Sequence, residues 1–201
     1  MSTAEATAFR TRDQVRPDAV SPDGFAHFVV RTSNFDAMRH WYQTVLNAEI
    51  VFDNGTLCFM TYDDEHHRLA LINVPGLQAP AADSWGVAHV AYSYKTLGQL
   101  LSTYVRLRDA GITPFRPINH GPTVSMYYHD PDGLAVEFQV DAFKTKEEAA
   151  AYFLTGAFKQ NPIGVLFDPE DLVRAWEAGV PENELLTRPD GEAARSTAWR
   201  A

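Results

Sequence analysis

The sequence predicts an α+β fold in which two paired βαβββ modules form one curved, barrel-like sheet, followed by a C-terminal helical extension. Three observations predict it. Two stretches repeat one order: an apolar strand, an amphipathic helix, then three further strands. Each opens with a histidine inside its first apolar strand, His27 in one and His89 in the other. After Val140 the pattern turns helical.

Residues 1–23 form an expected flexible arm that ends in the turn-forming cluster Ser21-Pro22-Asp23-Gly24. A single domain is expected over 24–140, with its modules at 24–76 and 85–140. The first module opens on an apolar strand at 25–30. Ser33 and Asp36 then supply an N-cap signature for a helix with the stripe Met38, Trp41, Tyr42, Val45 and Leu46. Asn54-Gly55 marks a hairpin between strands at 49–53 and 56–62, and a last strand at 69–74 stops at Pro75-Gly76.

The second module opens on a strand at 86–92. Thr96 can cap a helix with the stripe Leu97, Leu100, Leu101, Tyr104 and Val105, and Gly111 ends it. Strands follow at 113–117, 123–129 and 134–140, the last two joined by the turn Asp130-Pro131-Asp132-Gly133. Neither module can easily bury its sheet alone, so the two are expected to pack together. The extension is placed at 141–187. Thr145-Lys146-Glu147-Glu148 is a capping box for a helix ending near Gly156, and Asp168-Pro169-Glu170 opens another that carries Leu172, Val173 and Trp176. These apolar faces, with Phe153 and Leu154, are expected to cover the open side of the sheet and keep it dry. A disordered tail is expected over 188–201.

Composition narrows the function. The chain has 201 residues, 45% hydrophobic and 21% charged, as an ordinary globular domain has. Its net charge of −9 argues against a nucleic-acid or anionic-membrane partner, because either requires clustered Lys and Arg. The single cysteine, Cys58, lies in an apolar strand and is expected to be a buried thiol. A reducing, cytoplasmic setting fits that usage. No apolar run suits a signal peptide or a bilayer span.

The chemistry is carried by three polar residues in apolar strands. His27 shares a strand face with Phe25 and Val29, and His89 shares one with Val87 and Ala91. Glu137 lies within Leu134-Ala135-Val136-Glu137-Phe138-Gln139-Val140, where a carboxylate needs a cation or a metal. Each alone has a plain structural explanation: a hydrogen-bonded core histidine, or a glutamate met by an arginine. Together, two imidazoles and one carboxylate are the facial triad of non-haem Fe(II) oxygenases, which leaves coordination positions open. Mn(II) suits the same donors. The matching strand of the first module, Leu69-Ala70-Leu71-Ile72-Asn73-Val74, offers no fourth His or Glu.

On these residues the sequence resembles the vicinal oxygen chelate superfamily, and within it the type I extradiol dioxygenases, especially one-domain relatives of 2,3-dihydroxybiphenyl 1,2-dioxygenase. The resemblance covers about residues 25–140. It rests on His66-His67-Arg68-Leu69-Ala70-Leu71 and on Tyr127-Tyr128-His129-Asp130-Pro131-Asp132-Gly133-Leu134-Ala135-Val136-Glu137. Asp-Pro-Asp-Gly alone is common across the superfamily.

The resemblance implies Fe(II)-dependent cleavage of a catechol by O2, beside the diol. It further implies His67 as acid/base, with Tyr127 and His120 as hydrogen-bonding partners of the substrate oxygens. His120 stands closer to Tyr127 than the family spacing leads one to expect. A homo-oligomer is expected from the same resemblance. Phe143, Phe153, Phe158 and Phe167 suggest an apolar cover and a substituted or bicyclic catechol. His40 and His129 are read as structural or solvated. The rival functions are a glyoxalase-like isomerase or epimerase on the same scaffold, and a metal-free protein that binds small aromatic molecules. The first would favour a fourth ligand, and the second would lack the triad.

Overall fold

The computed structural model describes residues 21–81 and 83–192. The expected arm, 1–23, lies outside the described residues up to position 20, and the expected disordered tail, 188–201, lies outside them from 193 onward. The start of that tail is ordered, because Arg188 donates to the carbonyls of His120, Asn161 and Ala157. The first module runs β1 (Phe28–Thr32), α1 (Phe35–Leu46), β2 (Glu49–Asp53), β3 (Leu57–Thr61) and β4 (Leu69–Asn73). Its sheet has the order β1-β4-β3-β2, with β1 parallel to β4 and the other pairs antiparallel. The second module runs β5 (His89–Tyr94), α2 (Leu97–Asp109), β6 (Arg116–Asn119), β7 (Thr123–His129) and β8 (Ala135–Asp141). Its order, β5-β8-β7-β6, repeats the first, and again the first strand is parallel to the last. The duplication expected from the sequence is therefore present in topology.

The two sheets do not merge into one barrel-like sheet. β1 and β5 each end their own sheet, and they meet through side chains, with Phe28 and Tyr92 ring centres 6.3 Å apart. Burial explains why this suffices. α1 and α2 bring Met38, Tyr42, Val45, Leu100, Leu101 and Tyr104 against Leu69, Leu71, Val136 and Phe138 in one shared core. Apolar area is removed from water without a continuous ladder of backbone bonds.

Helix ends follow local chemistry where no tertiary partner competes. Thr96 accepts from Gln99 N–H at the start of α2, and Gly111 follows its end at φ +78°. At α1 the expected Ser33/Asp36 signature is not the cap. Asn34 occupies that position, and its amide instead donates to Asp132 Oδ1 at 2.6 Å, while Ser33 donates to the Leu77 carbonyl. Long-range contacts have claimed both side chains, and the Asn34 contact joins the two modules. Tyr42 adds another such contact by donating to Asp130 Oδ2 at 2.9 Å, and Asp130 Oδ1 accepts from the Asp132 and Leu134 amides. This locks the turn that leads into β8.

Three strands begin three residues later than expected, β1 at Phe28, β5 at His89 and β6 at Arg116, so the two histidines stand at strand heads.

The extension contributes α3 (Lys146–Phe153), α4 (Gly156–Gln160), β9 (Val165–Leu166), α5 (Pro169–Glu177) and α6 (Glu182–Leu186). The Thr145/Glu148 capping box is present, and Asp168 caps α5 with Pro169 at its first position. Gly156 does not end α3. It opens α4, which Thr155 caps by accepting from Phe158 N–H.

The expected covering role of the extension is not what its helices do. Leu172 and Val173 of α5 pack on the shared core, and the Trp176 ring lies so close to Gly98 of α2 that a Cβ there would come within 2.9 Å of it. Phe153 and Leu154 are exposed. The four phenylalanines also fail to form one cover: Phe143 and Phe158 meet the Tyr152 ring and Phe153 meets Phe158, whereas Phe167 joins the core. Among the described residues no helix is long and apolar enough to cross a membrane.

Candidate active site

Strand alternation divides each sheet into a core face and an open face. Val136, Phe138 and Val140 of β8 enter the core, which leaves Glu137 on the open face. Register then places its neighbours. Tyr127 of β7 lies directly opposite Glu137, and Arg116 of β6 directly opposite Tyr127. On the other side Glu137 pairs with Ala91, two residues beyond His89 on the same face of β5. The sheet itself thus assembles His89, Glu137, Tyr127 and Arg116.

The distances agree. His89 Nε2 stands 3.1 Å from Glu137 Oε2, and His120 Nε2 stands 3.0 Å from the Tyr127 hydroxyl. Glu137 and Tyr127 are buried, His89 and His120 half-buried. Burial, followed by the Glu137 charge, pushes the Tyr127 hydroxyl well above the ordinary phenol range, so it stays protonated. Burial lowers His120 below the usual imidazole value and keeps it neutral.

His27 and His67 form a second group on the first module. Their ring centres are 4.3 Å apart, and His67 is stacked on Phe59 at 4.7 Å and on His66 at 4.4 Å. Phe59 lies on the open face, opposite Ala70, as alternation requires. Arg68 ties this group together. It binds Asp63 through Nε and donates to the Phe25 and Ala26 carbonyls, which brings the segment leading to His27 beside the His66-His67 turn. Burial, then the neighbouring His27 and His66, lowers the His67 pKa and favours its neutral form.

The donors fit a divalent ion in part. Two donors on adjacent corners of an octahedron stand about 3 Å apart when each bond is about 2.1 Å, and His89 and Glu137 have that spacing. His27 does not join them. Among the described residues no three His, Cys, Asp or Glu side chains stand close enough together to hold one ion. The six residues singled out in the sequence thus form two groups: His89, Glu137, Tyr127 and His120 on the second module, and His27 with His67 on the first.

Three contributors escaped sequence reasoning. Arg116 is almost fully buried on the open face, and an arginine within a strand deserved the same question as Glu137. Arg68, within His66-His67-Arg68-Leu69-Ala70-Leu71, carries no sign in the sequence of the carbonyls it binds. The Ile163 carbonyl, which bonds His120 Nδ1 at 2.5 Å, belongs to a backbone position that leaves no side-chain signal. A cavity of about 780 Å³ between Tyr62, Tyr92, Arg106 and Trp176 is lined by residues of α2 and includes none of these site residues.

Paired βαβββ modules with polar groups gathered on their open faces define a recognisable class. A family model described as the Glyoxalase/Bleomycin resistance protein/Dioxygenase superfamily matches residues 24–138, and the chain belongs to that superfamily. The chain is 48% identical over 164 residues to a biphenyl-2,3-diol 1,2-dioxygenase 2 of Rhodococcus globerulus, which covers 81% of this chain and 86% of that protein. It is 47% identical to a biphenyl-2,3-diol 1,2-dioxygenase 3 of the same organism, covering 81% and 87%. A solved glyoxylase/bleomycin resistance protein/dioxygenase domain from Frankia sp. EAN1pec shares the fold at a TM-score of 0.53 and 16% identity, over 64% of this chain and 98% of that one.

Proposed function

We propose that the protein is an extradiol ring-cleavage dioxygenase that opens a catechol, substituted or biaryl, with O2. The observation that carries the reading is the meeting of His89, Glu137, Tyr127 and His120 on one open face. The chain's high identity to two biphenyl-2,3-diol dioxygenases supports it. His89 and Glu137 would hold Fe(II), or Mn(II) in its place, with His27 as the third donor by its matching place at the head of the first module. The metal would supply a Lewis-acid centre with positions open to a diol and O2.

The chain's own residues then divide the remaining work. The Tyr127 hydroxyl, kept protonated by burial and bonded to His120, orients a diol oxygen at the metal-binding edge. His67 is held neutral and is stacked against Phe59, which restricts rotation of its ring. It would accept a diol proton at a ring nitrogen and return it later in the cycle.

The test is reconstitution with Fe(II) under anaerobic conditions, followed by O2 uptake with 2,3-dihydroxybiphenyl and with catechol. One O2 should be consumed per diol, and the ring-opened product should gain the mass of both oxygen atoms. A loaded protein that consumes no O2 with any diol would overturn the reading. Isomerisation of a hemithioacetal, or tight binding of the aromatic without turnover, would then point to the corresponding rival function.

A further inference from the structure

The extension holds one residue of the candidate site through backbone carbonyls. We propose that residues 157–188 form a clamp that fixes the tautomer of His120, with the proton on Nδ1 and Nε2 left as the acceptor for the Tyr127 hydroxyl. The proposal rests on the reading that His120 and Tyr127 serve the site.

A carbonyl oxygen can only accept a hydrogen bond, so the imidazole nitrogen that faces Ile163 must carry the proton. In a neutral ring the other nitrogen then has a lone pair, and it is the one 3.0 Å from the Tyr127 hydroxyl. The one Tyr127 proton also lies within reach of the Glu137 carboxylate. In this tautomer it goes to the bare Nε2 of His120, and the hydroxyl keeps its oxygen lone pairs for another partner. With the opposite tautomer the Ile163 carbonyl would face a bare nitrogen, and Nε2–H would donate to Tyr127. The clamp thus determines the direction of the hydrogen bond at the site.

Several groups hold Ile163 in place. Asn161 Oδ1 accepts from the Ile163 and Gly164 amides, and Asn161 Nδ2 donates to the Gly164 carbonyl. Gly164, at φ +118°, lies against the Asn119 and His120 backbone, where an added Cβ would come within 2.4 Å of the Asn119 carbonyl oxygen. Only glycine combines that conformation with that approach. Arg188 closes the arrangement by donating to the carbonyls of His120, Asn161 and Ala157 at 3.3, 2.8 and 3.0 Å. Its guanidinium lies 5.6 Å from the centre of the Tyr152 ring. On the neighbouring strand, Asn119 donates to the Leu186 carbonyl and accepts from the Gly121 amide. β9 pairs with β6 and carries the segment alongside.

The test uses 15N-labelled full-length protein without metal, with the His120 ring signals identified by their loss in His120→Asn. The wild-type ring should show a protonated Nδ1 and a bare Nε2 at neutral pH. Arg188→Ala and Gly164→Ala should each shift the signals toward a mixture of tautomers, and Arg188→Lys should restore only part of the wild-type pattern. In the iron-loaded enzyme both loosened variants should lose about 10- to 100-fold in turnover of 2,3-dihydroxybiphenyl at unchanged iron content, the scale of a small misplacement. If Gly164→Ala fails to fold, Arg188→Ala alone decides. A wild-type ring protonated on Nε2, or an unchanged tautomer in the loosened variants, overturns the clamp. Because the tautomer is read without metal or substrate, a protein that cleaves no diol leaves this result intact and removes only the functional reading.

Discussion

His67 sits between Phe59 on one face and its imidazole neighbours on the other, which turns a histidine near a surface turn into a restricted, neutral one. Replacing it with Phe keeps the stack and removes the proton carrier. His67→Phe should therefore load iron normally and lose about 10²- to 10⁴-fold in single-turnover rate, the usual contribution of a general acid–base group. A near-wild-type rate would place His67 outside the chemistry. Cys58 gives a second prediction. Burial pushes its thiol up to about 11, against about 8.5 for a free cysteine. The folded protein holds that proton, so any penalty appears only as pH rises past the unfolded thiol's value. At pH near 8 iodoacetamide should leave Cys58 untouched in the native protein and label it in denaturant, as mass spectrometry would detect. Residues of this kind were legible in the sequence wherever an unusual side chain interrupted an apolar strand. Glu137 and His89 signalled themselves in that way, and Arg116 sent the same signal from a strand whose expected bounds were off by about a turn's length. Ile163 sent none, because its contribution is a carbonyl.

Elements were read most accurately where local chemistry had no competitor. The hairpin at Asn54-Gly55, the Thr96 cap, the Thr145 capping box and the Asp168-Pro169 helix start all appear in the structure. The Ser33/Asp36 cap failed because long-range partners took Ser33 and Asn34, and those partners are invisible in a local window. The extension was misplaced for a related reason. The apolar stripe on α5 requires a surface but does not name which one, and α2 supplied it. One link between elements is open to measurement. Tyr42 and Asp130 are both buried, and the Tyr42 hydroxyl donates to the carboxylate that organises the turn before β8. Tyr42→Phe removes the donor and leaves a buried carboxylate oxygen without it. The expected loss is about 1–3 kcal/mol, read as a lower denaturation midpoint at unchanged slope. An unaltered midpoint would show that water replaces the hydroxyl at no cost.

At the scale of the whole molecule, the proposed metal would add a bridge on the open faces of two modules already joined by a shared core and by the Asn34–Asp132 and Tyr42–Asp130 hydrogen bonds. His89 and Glu137 stand on one sheet, and His27 stands at the head of the other. An ion that bound all three would bridge the open faces and would bind the folded chain alone. Linkage then sets the size of the effect. At a free Fe(II) concentration about 100 times the dissociation constant the folded state gains about 2.7 kcal/mol. For a chain of this length each kcal/mol is worth about 2–4 °C, so the anaerobic melting midpoint should rise by about 5–11 °C. His89→Ala and Glu137→Ala should abolish that rise, whereas His67→Phe should retain it. His27→Ala is the decisive variant, because its ring touches His67 and, among the described residues, it does not gather with His89 and Glu137 into one three-donor group. Loss of most of the metal-dependent rise would make His27 the third ligand and the bridge between modules. A full rise in His27→Ala would confine the ion to the second module and leave His27 as the neighbour that tunes His67.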